Sequence, residues 1–555
     1  MKPLWNQPQP IMPSILLVVV ILVGSSAWSA EADSLGVFEG RIIDSVIVET
    51  RNIYNTDDSR YDSFIFRTAN KLHFVTRKQV VRRELLLKEG ETYRTDLAEE
   101  TARNLRARLV LYDAWVTPEE LPDGRLLLRV VTIDQWSLSG GLIVGRDGNE
   151  TELRIGIAER NLLGRNLRLD GRYNHVQDRS DYFNGNFADS RLFGQPLRFS
   201  LNYNGDPESN WRAVTLGRPF YNQMQRYSFR LSAGTVGGTR ELYRDSELTA
   251  ESDYDAELYN GEFLFRGGSY AQKIELGLMY TRRLETIDNK EIFSTKPQDS
   301  LDALEAFPQD SAYHRVGATL SFLNEKFVSL HRIDGFGYTE DYRLGPALKV
   351  DVSRAFESGE VVFDHVASSV VLSGRGFRTL ASGSSEIAFW LDQSGNQIRR
   401  LVGLRAVLYN QSLDFVTFAL HGSYRHDVSD QSSSALVLGG TTGLRGYDKY
   451  FRSGNRRAVV NLEGRVYPGI EFLSIQFGAV VFSDIGQIWK EDETLSLDRT
   501  YASIGAGLRI SGERSSKTAL FRFDLAYSES RGWQLSVGTK QFFSASPLFL
   551  PLTTY

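Results

Sequence analysis

The chain has 555 residues with no cysteine, 48 glycines, 8 Trp, 25 Tyr and 32 Phe, and its 64 basic and 69 acidic side chains leave a net charge of -5. That balance argues against a nucleic-acid partner, and the lack of cysteine excludes disulfides, thiol catalysis and Cys-based metal sites. A mean hydropathy of -0.29 excludes a bundle of membrane helices, while the aromatic and glycine content asks for an architecture in which apolar and polar residues alternate.

The one long apolar run, Ile15 to Val23, is preceded by Lys2 and followed by Gly24-Ser25-Ser26-Ala27-Trp28-Ser29-Ala30, small residues apart from Trp28. A spanning helix needs about 20 apolar residues, whereas an export signal needs a shorter core and small residues at the cut. Residues 1–29 therefore read as a secretory signal peptide, with cleavage after Ser29 or, alternatively, after Ala32.

From residue 39 to 135 the pattern is strand, helix, helix, strand, strand. Ile42, Ile43, Val46 and Val48 form a first β run, and Arg125 to Thr132 forms the last. Thr76 and Gln79 have the spacing of a capping box ahead of Val80, Val81, Leu85 and Leu86, and Gly90 is a stop signal. The next helix carries Leu97, Ala98, Thr101, Leu105 and Leu109 on one face. The polar stretch Arg51 to Lys71 reads as a loop.

Beyond Gln135 the period changes to two. Leu197, Phe199, Leu201 and Tyr203 alternate with polar residues, as do Phe521, Phe523, Leu525 and Tyr527. Strands with one apolar and one polar face suit an outer-membrane barrel, whose spans need about 9–11 residues each. Residues 136–543 divided among 16 strands leave roughly 25 residues for each strand and its connection, which fits a barrel with some long loops. Tyr259 to Gly267, Gln272 to Arg282 and Glu386 to Leu391 also read as strands, so the candidates exceed 16; extensions, loop hairpins or 18 strands would accommodate them. Glu285 to Ser311 and Ser429 to Arg457 are the candidate long loops. The junction Thr132 to Trp136 has no linker composition, which predicts close coupling of the two domains.

One constellation stands out. The Gly-rich segment Gly439 to Tyr447 contains Leu444-Arg445-Gly446-Tyr447, and two later strands carry Glu463 and Asp484 at positions that alternate with apolar residues. Both carboxylates should face the lumen, where an arginine needs charge-assisted partners. The resulting ion pairs would tether the loop inside the barrel.

These residues resemble the BamA/TamA superfamily of outer-membrane assembly and translocation proteins, with its D15-like surface-antigen barrel. Leu444-Arg445-Gly446-Tyr447 matches the family's loop motif; Glu463 and Asp484 match the acidic partners of its arginine. Gly505 to Ile510 and the opening barrel strands W-S-L-S-G-G-L-I-V-G and E-R-N-L-L-G-R-N add to the match. The N-terminal segment T-R-K-Q-V-V-R-R-E-L-L-L-K-E-G-E-T-Y with L-A-E-E-T-A-R-N-L-R-A-R-L-V-L-Y-D-A-W-V is similar to a POTRA domain. The resemblance implies a mostly β protein: one α+β POTRA-like periplasmic domain, then a transmembrane antiparallel β-barrel of 16 strands, and a tail at 544–555 that the family pattern lacks. It also implies a weak lateral seam between Trp136 to Gly145 and Trp533 to Phe543, which opens to template client strands.

The seven histidines are scattered, His421 and His426 being five apart on a strand and so on opposite faces, and no nucleophile elbow or P-loop is present. The expectation is a non-enzymatic protein without cofactor or metal, in the outer membrane with its first domain in the periplasm. It would contact outer-membrane lipids, unfolded client polypeptides through the POTRA-like domain by β-augmentation, and a periplasmic partner protein. Insertion of outer-membrane proteins or polypeptide translocation is the function implied; a dedicated two-partner secretion pore and a passive porin or structural surface antigen are the rivals.

Overall fold

In the computed structural model the described residues are 36–544, except 148–149, 177–179, 245–246, 294–309, 430–435, 441, 449–450, 492, 513 and 515–519. The expected signal peptide and most of the expected tail lie outside them. The N-terminal part contains strand β1 (Ser45–Arg51), helices α1 (Phe64–Leu72), α2 (Lys78–Glu84) and α3 (Thr95–Arg108), and strands β2 (Leu111–Glu120) and β3 (Leu126–Asp134). The sheet order is β1-β3-β2, with β1 parallel and β2 antiparallel to β3. Val46, Val48, Leu126, Leu128 and Val130 of the sheet pack with Val81 of α2 and Leu105 of α3 in one core.

Two local expectations change. The stretch Arg51 to Lys71 is not a plain loop, because Phe64–Leu72 folds into α1 and Phe66 packs with Tyr54 and Tyr61. Thr76 does not cap α2, whose preceding residue is Arg77. Instead, Thr76 donates its backbone N–H to Asp134 at 2.6 Å and its hydroxyl accepts from Asn161 at 2.9 Å. Tertiary partners have taken the capping residue.

The remainder is one large antiparallel sheet in which each strand pairs with the next in sequence, and the last strand, Gly532–Gly538, returns to the side of the first, Leu138–Asp147. Among the described residues twenty strands make this circuit, the short Lys326–Leu330 being an extension of Ser311–Asn324. The expected 16 strands and their even share of residues are thereby corrected. The first six strands, Leu138–Asp147 through Ser209–Arg218, are only 7–10 residues long and follow one another through short connections. Later strands are much longer: Glu247–Gly268 has 22 residues and Gln272–Ile292 has 21, so the latter absorbs the start of the expected loop at Glu285.

The period-two pattern sets the two faces. Phe521, Leu525 and Tyr527 are exposed on the outer surface while Asp524, between them, is fully buried. Ile157, Leu278, Leu462 and Val481 are likewise exposed by half or more. Such an outward apolar face on every part of a sheet is stable only against lipid. No helix among the described residues is long and apolar enough to cross a membrane.

Candidate functional site in the barrel lumen

The loop between strands Val416–Ser429 and Arg456–Phe472 folds back into the sheet's interior. Its small hairpin, Leu436–Leu438 with Arg452–Gly454, brackets the motif. Leu444 is fully buried with Leu438, Tyr447, Val459 and Ile488, and the Tyr447 hydroxyl donates to the Ala502 carbonyl at 3.0 Å. Between these anchors Gly446 takes φ +85, and a Cβ there would lie 3.1 Å from that of Ala526, so glycine suits this turn on both counts.

Arg445 is fully buried. Its Nε and Nη2 donate to the two Asp484 oxygens, each at 2.8 Å, and Nη1 donates to Glu463 at 2.7 Å. A third carboxylate, Asp524, receives Nη1 at 3.2 Å. The guanidinium lies between two rings, 3.6 Å from the Phe482 centroid and 4.1 Å from that of Phe542. Bidentate pairing to Asp484 fixes the plane, and the rings exclude water from it. Burying three carboxylates costs several kcal/mol each unless cations balance them, and Arg465 and Arg509 extend the network for this reason. Arg465 donates to Glu463 at 2.8 Å, and Arg509 to Asp524 at 2.6 Å.

Alternation along single strands places Glu463 and Asp484 inside, and both meet Arg445. It does not reveal that Asp524, Arg465, Arg509 and Phe542 converge on the same point. Asp524 carries a signal, since it alternates with the outward apolar side chains of Phe523 and Leu525; Phe542 carries none, because it follows the last strand.

Two of the expected seam residues, Trp533 and Gly145, stand on the neighbouring last and first strands. Trp533 stands on the last strand, 65% exposed, and Gly145 pairs with Glu152 on the first hairpin. Trp136 precedes the first strand and donates its backbone N–H to Arg514 at the end of the sheet nearest the N-terminal domain. Phe543 is not part of the seam. The last strand stops at Gly538, and residues 541–544 turn into the lumen, where Phe543 stacks on His421 at 5.1 Å and its carbonyl accepts from Arg465 at 2.8 Å. Gln541 accepts from Arg509 and Ser544 from Arg405. Arg465, Arg509 and Arg405 thus hold residues 541–544 inward with donors left over from the network. The last strand offers only seven residues, all seven paired to Leu520–Ser528 on one side.

A second segment enters from the side of the N-terminal domain. In His331 to Thr339, the Ile333 carbonyl accepts from Arg465 at 2.6 Å and Phe336 packs edge-on against Tyr467. The N-terminal domain itself is pinned beneath the sheet. Glu84 of α2 binds Arg191 through both oxygens, Arg106 of α3 binds Asp341 through two bonds, and Tyr61 donates to Glu471. Glu100 of α3 accepts from Gln223 and Tyr270, and burial pushes its carboxyl above the usual range.

No protein-family model matches the chain, and no curated protein matches it. Among solved structures it is similar to BamA from Haemophilus ducreyi lacking POTRA domains 1–3, at 14% identity over 89% of this chain and 83% of that one, with a TM-score of 0.39. It is also similar to CdiB from Escherichia coli, at 11% identity over 90% of this chain and 75% of that chain (TM-score 0.43). CdiB from Acinetobacter baumannii aligns at 12% identity over 90% and 73%, with a TM-score of 0.40.

Proposed function

We propose that the chain is an outer-membrane β-barrel of the BamA/TamA type, with one POTRA-like domain on its periplasmic side, that assists insertion of outer-membrane proteins or translocation of polypeptides. The observation that carries this reading is Arg445: a loop arginine of the L-R-G-Y motif, fully buried and held by Glu463, Asp484 and Asp524 on three strands that lead up to a short last strand. The outward apolar face supports the membrane location, and the chain order supports a periplasmic first domain.

The mechanism makes no covalent bond. The arginine network stiffens one wall, from Arg456–Phe472 to Leu520–Ser528, while the neighbouring edge is limited to seven residues, the chain turning inward at 541–544. An edge so short separates at less cost than its longer neighbours, and its freed N–H and C=O groups template a client strand. The sheet edges β1 and β2 of the first domain present clients to it. A passive porin is disfavoured by the three segments that occupy the lumen; dedicated secretion of one partner is the second reading, since translocation would use the same wall.

Arg445→Ala leaves three carboxylates short of a cation and should cost about 3–5 kcal/mol. The expected result is a lowered temperature for the loss of heat-modifiable migration and reduced assembly of client barrels, with the N-terminal domain still protease-resistant. Unchanged migration and unchanged client assembly would contradict the proposal.

A further inference from the structure

We infer that the cavity between the N-terminal domain and the first two turns of the barrel on that side binds the phosphate headgroup of an anionic phospholipid; the inference rests on the outer-membrane reading above. The cavity measures about 410 Å³. Four arginines line it, Arg77 and Arg83 from the domain and Arg165 and Arg191 from the turns, against two carboxylates, Glu84 and Asp189. Arg191 is committed to Glu84 at 2.5 Å, and Arg77 Nε donates to the Leu163 carbonyl at 3.0 Å. The side chains of Arg83 and Arg165 have no hydrogen-bond or ion-pair partner among the described residues. Two uncommitted, solvent-exposed guanidinium groups lining one cavity present parallel N–H donors that match the oxygens of a phosphate.

The apolar surroundings select a lipid over free phosphate. The two turns have the same form: Leu163 takes φ 55 and Phe193 takes φ 53, a left-handed conformation that costs a bulky residue free energy and is kept where something else gains from it. In both turns the strained residue projects outward, Phe193 being 90% exposed while also lining the cavity. An aromatic ring beside uncommitted arginines at the end of lipid-facing strands matches a headgroup in the cavity and an acyl chain along Phe193. Its place beside the N-terminal domain puts the site at the periplasmic leaflet, where glycerophospholipid is the available phosphate-bearing lipid.

Native mass spectrometry of the full-length protein in a neutral detergent tests the inference with three probes: phosphatidylglycerol, phosphatidylcholine and inorganic phosphate. The expected result is one retained phosphatidylglycerol, with neither of the others retained. The double variant Arg83→Gln/Arg165→Gln should lose that adduct by about tenfold, and Phe193→Ser should weaken it. Undiminished phosphatidylglycerol on the double variant, or inorganic phosphate held as well as the lipid, overturns it. Fractionation of the same variants with outer membranes, and their heat-modifiable migration, report separately on the membrane reading and on folding.

Discussion

Arg445 shows how one side chain organises a wall of the barrel. Its five N–H donors cannot be left unpaired in a fully buried position, so the surrounding strands supply Asp484, Glu463 and Asp524, and those carboxylates in turn require Arg465 and Arg509. Space for the central guanidinium depends on Phe482, whose ring occupies the room that a side chain at position 505 would need. A Cβ on Gly505 would sit 2.4 Å from a Phe482 ring carbon and 2.3 Å from the Leu525 carbonyl. Gly505→Ala should therefore cost about 1–3 kcal/mol by overpacking and displace Phe482 from Arg445. Gly422→Ala, where nothing lies within 4 Å, is the matched control. Thermal loss of heat-modifiable migration should fall for the first variant and hold for the second.

At the scale of elements, the inward turn of residues 541–544 distinguishes the end of this chain from a simple terminal strand. Phe543 is buried against His421 and Tyr409, whereas Trp533, on the strand itself, faces outward. Phe543→Ala should destabilise the barrel by about 3–5 kcal/mol through lost packing, and Trp533→Ala by much less, because lipid replaces protein as its surroundings; equal shifts in thermal stability would refute the inward placement. The contrast also shows what the sequence makes legible. Period-two alternation identifies the outer and inner faces of strands such as Leu520–Ser528, since burial on one face is written into every second residue. Strand number is less legible: six strands of 7–10 residues fit between Leu138 and Arg218, and an average share of residues per strand hides them. Helix α1 was missed because its nine residues carry only a brief apolar pattern, and Thr76 misled because a capping residue can be claimed by distant partners such as Asp134 and Asn161. Glu463 and Asp484 could be paired with Arg445 through the motif, but convergence across several hairpins is a property of the closed-up sheet, which no local pattern encodes.

The whole molecule couples the three-stranded N-terminal sheet to the large antiparallel sheet without a flexible joint. The last residue of β3, Asp134, accepts from Thr76 and contacts His73, while Trp136 is already bonded to Arg514, so the chain passes directly from one domain to the next. Ion pairs at Glu84–Arg191 and Arg106–Asp341 hold the domain under two separate parts of the sheet. Under the proposed function, a client at the edge of β2 would stay at a fixed distance from the short last strand, as handing a strand from one edge to the other requires. The central claim is that polypeptides pass over both edges. Photocrosslinking amino acids at Trp115, exposed on β2, and at Leu535, exposed on the last strand, test it most directly in living cells. The account predicts that both positions capture unfolded polypeptides in transit to or across the outer membrane, with capture at Leu535 lost in Arg445→Ala; a folded, membrane-inserted protein that captures no polypeptide at either position would contradict it.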